Sequence, residues 1–145
     1  MSNATALSFG FPDTTVAETG SWLVLVRPKQ PTFGSLVLIC KEEAQAFSDL
    51  SAEAFADLAV AVGGIERMLR KLVGYEKINY LMLMMVDKDV HFHVIPRYPG
   101  ERVHGGVSFP DAGWPAAPNL GAAVDLGPEG AAKLADWLRR EWPLA

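Results

Sequence analysis

The stretch "SAEAFADLAVAVGGIERMLRKLVG", residues 51–74, decides the fold because it is the clearest helical segment of the chain. Its apolar side chains recur at spacings of three and four, which places them on one face of an α-helix. Ser51 suits the N-cap, and Gly74 can supply a left-handed stop. The paired Gly63 and Gly64 predict close packing against a neighbour in mid-helix. The apolar positions are Phe55, Leu58, Val62, Ile65, Leu69 and Leu72.

Two apolar runs precede this helix and two follow it. "SWLVLVRP" and "SLVLIC" are rich in Val, Leu and Ile, and the Pro- and Gly-containing segment between them predicts an antiparallel hairpin. "KINYLMLMMV" and "DVHFHVIPR", separated by the charged "DKD", predict a second hairpin. This order indicates an α+β fold, with an antiparallel sheet of about five strands and one long helix packed on it.

The two ends of the chain carry weaker patterns. The first twenty residues predict a loop or a short edge strand, since they hold glycine and proline without periodicity. Residues 99–145 predict a loop-rich extension that ends in a short amphipathic helix over "PEGAAKLADWLRREW". The methionines Met82, Met84 and Met85 are expected in the core. The length of 145 residues suits a single domain, 1–145, with its core at about 22–98.

Composition excludes several classes of protein. The net charge of -4 and the pI near 5.3 argue against a nucleic-acid-binding surface, which needs clustered Lys and Arg. No apolar stretch approaches the ~20 residues that a membrane span requires, and residues 1–15 lack the basic run followed by an apolar run that is typical of a signal segment. The single cysteine, Cys40, lies in an apolar run and is compatible with a reducing compartment. We therefore expect a cytoplasmic protein.

The segment "DVHFHVIPR", residues 89–97, carries the most informative pattern. Successive side chains of a strand point to opposite faces, so the alternation places Asp89, His91 and His93 on one face. The apolar residues between them would then face the core. Three ionisable groups in a row indicate either a functional site or the solvated face of an edge strand.

Two kinds of chemistry fit such a row. A metal site is one alternative, but Asp89 and His93 would lie on the order of 13 Å apart along a strand, whereas metal ligands converge to about 2 Å from the ion. His91 and His93 would need a further ligand, for example His104. A linear row better fits phosphoester chemistry, in which one imidazole attacks phosphorus and the next donates a proton.

These residues also resemble a known signature. "DVHFHVIPR" is similar to the motif of the histidine-triad (HIT) superfamily, which has three histidines at alternate positions, often followed by an apolar pair and Pro-Arg. The resemblance extends over about residues 22–98, where "VRPKQPTFGSLVLICKEEAQAFSDLSAEAFADL" is similar to the family's hairpin and helix. It implies a HIT-like, dimer-forming domain that binds nucleoside phosphates, similar to bacterial diadenosine polyphosphate hydrolases.

The resemblance also implies a mechanism. His91 aligns with the histidine that attacks the α-phosphorus and forms a transient nucleotidyl-histidine, and His93 aligns with the third histidine, which contacts phosphate and protonates the leaving group. Dinucleoside polyphosphates and nucleoside phosphoramidates are among the implied substrates. No metal or other cofactor is expected, since imidazolium and backbone N–H groups can stabilise phosphoryl oxygens. The implied partners are a nucleotide substrate and a second copy of the chain.

The sequence departs from the family pattern at several positions. Asp89 stands in place of the first histidine, and an anion there would repel phosphate unless a neighbour hydrogen-bonds it. Ser35 stands where many members have histidine. We retain Asp89, Ser35, Asn79 and Arg97 as candidate nucleotide or phosphate contacts. The departures leave open a non-catalytic nucleotide-binding domain and, on the residue types alone, a mononuclear metalloprotein.

Overall fold

The structure is a computed structural model and describes residues 3–143. Within that range the helices are α1 (Ala4–Ser8), α2 (Ala52–Leu72) and α3 (Gly127–Glu141), with a 3-10 turn at Phe47–Asp49. The strands are β1 (Thr15–Glu18), β2 (Trp22–Val26), β3 (Lys29–Gln30), β4 (Leu36–Cys40), β5 (Lys77–Leu81), β6 (His91–Arg97), β7 (Glu101–His104), β8 (Val107–Pro110) and β9 (Val124–Asp125).

The central sheet has five strands in the order β1-β2-β4-β6-β5, and each neighbouring pair is antiparallel. Helices α2 and α3 contribute their apolar faces to one core cluster on one side of this sheet. The predicted α+β fold, with one long helix and a short C-terminal helix, is therefore confirmed. The tight antiparallel pairing also leaves β5 as an edge strand, hydrogen-bonded only to β6.

The long helix forms as its sequence predicts. The Ser51 hydroxyl accepts a hydrogen bond from the Ala54 N–H at 3.0 Å, and Gly74 adopts a φ of +62° just beyond the last turn. The indole ring of Trp142 packs directly over Gly64, where a Cβ atom would overlap it. Close packing is thus confirmed at Gly64, whereas a Cβ on Gly63 would meet only the flexible end of Arg67.

The opposite face of the sheet is covered by the N-terminal segment. Leu23, Leu25, Val37 and Ile39 form a second buried cluster there with Ala6 of α1. Phe9 and Phe11 pack against the edge of the same cluster. Both faces of the sheet are consequently buried, which accounts for the unbroken apolar runs of β2 and β4.

Several expectations about the less regular segments were wrong. The first twenty residues contain helix α1 in addition to the predicted edge strand β1, and residues 99–128 contain the β7–β8 hairpin and strand β9, which pairs with β3. Met85 is 85% exposed rather than in the core, because β5 ends at Leu81 and the following residues form a loop. No helix in residues 3–143 is long and apolar enough to cross a membrane.

Candidate functional site

His91 and His93 lie on the sheet face that the N-terminal segment covers. Register places Ile39 opposite His91, and both Val37 and Leu81 opposite His93, and residues paired across antiparallel strands share a face. The two imidazole centroids are 5.2 Å apart. Both histidines therefore lie on the face opposite the main core, as the alternation predicted.

His91 is held in one orientation by the backbone. It is 2% exposed, and its Nδ1 lies 2.7 Å from the carbonyl oxygen of Asp89. Because a carbonyl oxygen only accepts hydrogen bonds, Nδ1 must carry the proton. In the tautomer that has its one proton on Nδ1, the lone pair lies on Nε2, which is then the nucleophilic atom.

His93 is in a different electrostatic environment. Burial, followed by the positive charge of Arg27 and then by His91, lowers the pKa of His93 to about 4, while Asp87 opposes the shift. The ring is therefore neutral at pH 7 in the free protein, so it is not the imidazolium that the sequence predicted as a proton donor. Its Nδ1 is buried and has no hydrogen-bond partner among the described residues.

Asp89 does not continue the histidine row, because β6 begins only at His91. Its carboxylate accepts a hydrogen bond from the Thr5 N–H at 3.1 Å, and its own N–H donates to the Thr5 hydroxyl at 3.1 Å. The side chain is thus turned toward the first turn of α1. The prediction that Asp89 contacts phosphate is corrected: here it anchors the N-terminal segment, while its carbonyl orients His91.

Phe9 covers both histidines. Its ring centroid lies 6.4 Å from that of His91 and 6.0 Å from that of His93. Besides the Thr5–Asp89 pair, the segment is held by the Asn3 side-chain amide, which donates to the Cys40 carbonyl at 3.2 Å. We call residues 3–14 the N-terminal cover, since they close the histidine face over β2, β4 and β6.

The other predicted contacts have structural partners. Ser35 is fully buried, and its hydroxyl donates to the Thr32 carbonyl at 2.8 Å within the turn before β4, so it is not free to meet phosphate. Arg97 is also buried and forms two hydrogen bonds with the Asp111 carboxylate, at 2.7 and 3.1 Å. The guanidinium also donates to the Asn79 side-chain oxygen at 2.8 Å. Arg97 therefore organises the structure instead of binding phosphate.

An open cavity of about 550 Å³ lies beside β5, and its lining reaches Leu81 but neither histidine. Lys77, Asn79 and Leu81 line it from β5, and Trp114 and Pro115 line it from the loop that follows β8. Register puts Leu81 beside His93 on the same face. Asn79 keeps its amide N–H groups available to this cavity, since its oxygen is bound to Arg97.

The structure does not bring together the three histidines considered as metal ligands, His91, His93 and His104. His104 packs between Phe33 and Trp137, with ring centroids 5.0 and 4.4 Å away, and does not approach the other two histidines. Across the described range 3–143, no three His, Cys, Asp or Glu side chains come together as a group that could hold a metal ion.

Sequence reasoning missed four residues of this region: Thr5, Phe9, Arg27 and Asp111. Local signals existed for two of them. Asn3 is a good N-cap residue just before Thr5, and it accepts a hydrogen bond from the Ala6 N–H at 2.9 Å. Arg27 is the charged residue that directly follows the apolar strand β2. Nothing local connects Asp111 or Phe9 to the histidines.

Comparisons with known proteins agree with this architecture. No protein-family model matches the sequence, and no curated protein matches it. A histidine triad protein from Bradyrhizobium japonicum aligns with a TM-score of 0.67 and 19% identity, over 99% of this chain and 98% of that one. Plasmodium falciparum diadenosine triphosphate hydrolase aligns with a TM-score of 0.65 and 14% identity, over 91% and 80%.

The C. elegans NitFhit protein aligns with a TM-score of 0.63 and 21% identity over 89% of this chain, which spans only 27% of that protein. Such identities establish a common architecture and leave activity to be argued from the site. This chain has a five-stranded antiparallel sheet with the long helix on one face and the two histidines on the other. The chain therefore has the fold of the histidine triad proteins.

Proposed function

We propose that the protein is a nucleotide hydrolase or nucleotidyl transferase that acts at the α-phosphorus of a nucleoside phosphate derivative. The observation that carries the proposal is the Nδ1 hydrogen bond of His91, which leaves Nε2 as the nucleophilic atom. The diadenosine triphosphate hydrolase among the structural neighbours supports the same substrate class. A dinucleoside polyphosphate or a nucleoside phosphoramidate would be such a substrate.

The reaction would proceed in two displacements. Nε2 of His91 forms a bond to phosphorus, the bond from phosphorus to the leaving group breaks, and the leaving group takes that electron pair. A nucleotide or phosphate leaves as the anion, and the nitrogen of a phosphoramidate takes a proton from water as it leaves. Water then attacks phosphorus as the bond to Nε2 breaks, the electron pair of that bond returns to Nε2, the proton lost by the water passes to solvent, and the nucleoside monophosphate is released. With another acceptor in place of water, the product is the nucleotidylated acceptor. The Nδ1 proton stays hydrogen-bonded to the Asp89 carbonyl throughout, which stabilises the positive charge on the modified ring.

The homodimer and the cytoplasmic location expected from the sequence are part of this proposal. The open hydrogen-bonding edge of β5 and the exposed side chains of Leu83, Met85 and Val86 just after it support pairing with a second copy. The molar mass in solution decides between a monomer and a dimer.

The test is to incubate the protein with a panel of diadenosine polyphosphates, adenosine phosphoramidate and adenylylated small molecules. Released AMP is quantified, and the intact protein is examined by mass spectrometry under acid-free conditions. We expect AMP from at least one compound and an adenylyl adduct after a brief reaction. If no compound gives AMP or an adduct, the proposal is wrong.

A second candidate is a nucleotide-binding domain without catalysis. It is favoured by one observation, the N-terminal cover, which leaves His91 2% and His93 8% exposed. The two candidates make different predictions for the same panel. Nucleotide binding in the absence of AMP release and of any adduct would favour the non-catalytic domain.

Catalysis at His91 requires the N-terminal cover to open, and Phe9→Ala should make opening easier. Burial of about half a phenyl ring is worth roughly 1.4 kcal/mol, which corresponds to about a tenfold larger open population. We expect diethyl pyrocarbonate to modify His91 and His93 on the order of tenfold faster in this variant. Peptide mapping by mass spectrometry gives the rate for each histidine.

Phe47→Ala is the matched control for this measurement. Phe47 is 44% exposed and packs against Phe92 on the other face of the sheet, so the same truncation leaves the cover in place. The reaction of His104 provides an internal reference in both variants. Equal rates at His91 and His93 in wild type and Phe9→Ala would show that Phe9 does not control access.

A further inference from the structure

Two buried nitrogen atoms on the histidine face have no hydrogen-bond partner. They are Nε of Arg27 and Nδ1 of His93, and neither finds an acceptor or donor within residues 3–143. Buried polar atoms in native proteins are nearly always paired, so each unpaired one requires an explanation. A ligand bound on this face of the sheet would supply a partner to each of them.

Register places the two side chains on the same face. Leu25 of β2 pairs with Val37 of β4, which pairs with His93 of β6. Arg27 lies two residues beyond Leu25, and its N–H donates to the Ser35 carbonyl at 3.1 Å, so the pairing continues to this position. Residues two apart along a strand point to the same face. Arg27 is also close enough for its charge to lower the pKa of His93.

The charge of Arg27 is not neutralised by the protein. One end of its guanidinium is fixed, since Nη1 donates to the Lys29 carbonyl at 2.7 Å. No carboxylate among the described residues forms an ion pair with it. Burial alone lowers the pKa of Arg27, which reflects a cation moved partly out of water without a counterion.

We infer that Arg27 is a phosphate-binding residue: its Nε–H joins the His93 ring, whose phosphate contact the resemblance already implies, in binding an oxyanion, which in the proposed reaction is the phosphate group attacked by His91. A guanidinium Nε–H and an imidazole N–H are donors that match the acceptor oxygens of a phosphate. The identification of the oxyanion as substrate phosphate rests on the proposed function; binding of an oxyanion does not. Because the imidazole centroids of His91 and His93 are 5.2 Å apart, an anion bound at His93 lies beside the nucleophile, His91.

The N-terminal cover lies over this site, and that gives the inference a second consequence. The Phe9 ring is 6.0 Å from the His93 ring, so a bound anion must displace it. Phe9→Ala should therefore bind the anion more tightly than the wild type does. An ordinary surface cation would show no such dependence on Phe9.

The test is an NMR titration of the full-length protein at pH 7, with the His93 ring signals followed during addition of phosphate, pyrophosphate or acetate. We expect phosphate and pyrophosphate to move these signals and Arg27→Gln to weaken their binding at least tenfold. Arg27→Lys keeps the charge and loses the Nε–H donor, so it should bind with intermediate affinity. Lys29→Gln removes a neighbouring exposed charge and should bind as the wild type does.

Each outcome separates this inference from the proposed function. Phosphate that does not move the His93 signals, or that binds equally well to Arg27→Gln and wild type, overturns the inference even if AMP is still released. Acetate binding as tightly as phosphate would overturn the assignment to phosphate. Anion binding that depends on Arg27, in a protein that never releases AMP, would sustain the oxyanion site and reject catalysis.

Discussion

His91→Gln should abolish the adenylyl adduct and reduce AMP release by at least about 1,000-fold. The reason is that glutamine has no nitrogen lone pair comparable to Nε2 of the neutral imidazole. The fold should be retained, since the side chain lies beside Phe9 and accepts no hydrogen bond from the chain among the described residues. Adduct formation is measured by intact mass and AMP release by chromatography.

His104→Gln is the matched control for that substitution. It makes the same chemical change at His104, which packs between Phe33 and Trp137 and away from β6. This variant should form the adduct and release AMP at a rate close to that of the wild type. An adduct that persists in His91→Gln would place the nucleophile elsewhere and reject the assigned mechanism.

The long helix was predictable because everything that forms it is local. The spacing of apolar residues, the Ser51 cap and the Gly74 stop all lie within the segment itself. The strands β2, β4 and β6 carry equally local patterns. When two strands precede one helix in the sequence and two follow it, few α+β arrangements are possible. The sheet order then follows from the short antiparallel connections.

The surroundings of the histidines were not predictable, since they depend on contacts between distant parts of the chain. Thr5 and Asp89 are 84 residues apart, yet their two hydrogen bonds decide that Asp89 turns away from the histidine row. Alternation along a strand assumes that the strand begins before Asp89. That assumption is wrong here, because β6 begins at His91 and the Asp89 carboxylate is hydrogen-bonded to the Thr5 N–H in α1.

The Arg97 position illustrates the same limit. Its sequence context, an arginine that ends a strand beside a proposed phosphate site, permitted either a phosphate contact or a structural ion pair. Asp111 lies 14 residues away, beyond the β7–β8 hairpin, and no pattern in the sequence connects the two. The ion pair between Arg97 and Asp111 is therefore visible only in the folded structure.

Asp111→Asn should destabilise the protein by about 3–5 kcal/mol, because it leaves the buried Arg97 guanidinium without a counterion. The carboxylate accepts two hydrogen bonds from Arg97 and one from the Tyr98 N–H at 3.2 Å. The side chains of the pair are 4% and 1% exposed, so water cannot replace the lost charge. The midpoint of thermal unfolding should fall on the order of 10 °C.

Glu141→Gln is the matched control, since it removes a carboxylate from a surface ion pair, with Lys71 at 3.1 Å. That change should cost less than about 1 kcal/mol because both groups are partly solvated. The double variant Arg97→Met, Asp111→Leu should regain part of the stability lost in Asp111→Asn, since no unpaired charge is then buried. If the double variant is no more stable than Asp111→Asn, the loss arises from the Arg97 bonds to Asn79 and to the Ala116 carbonyl that hold the cavity loop.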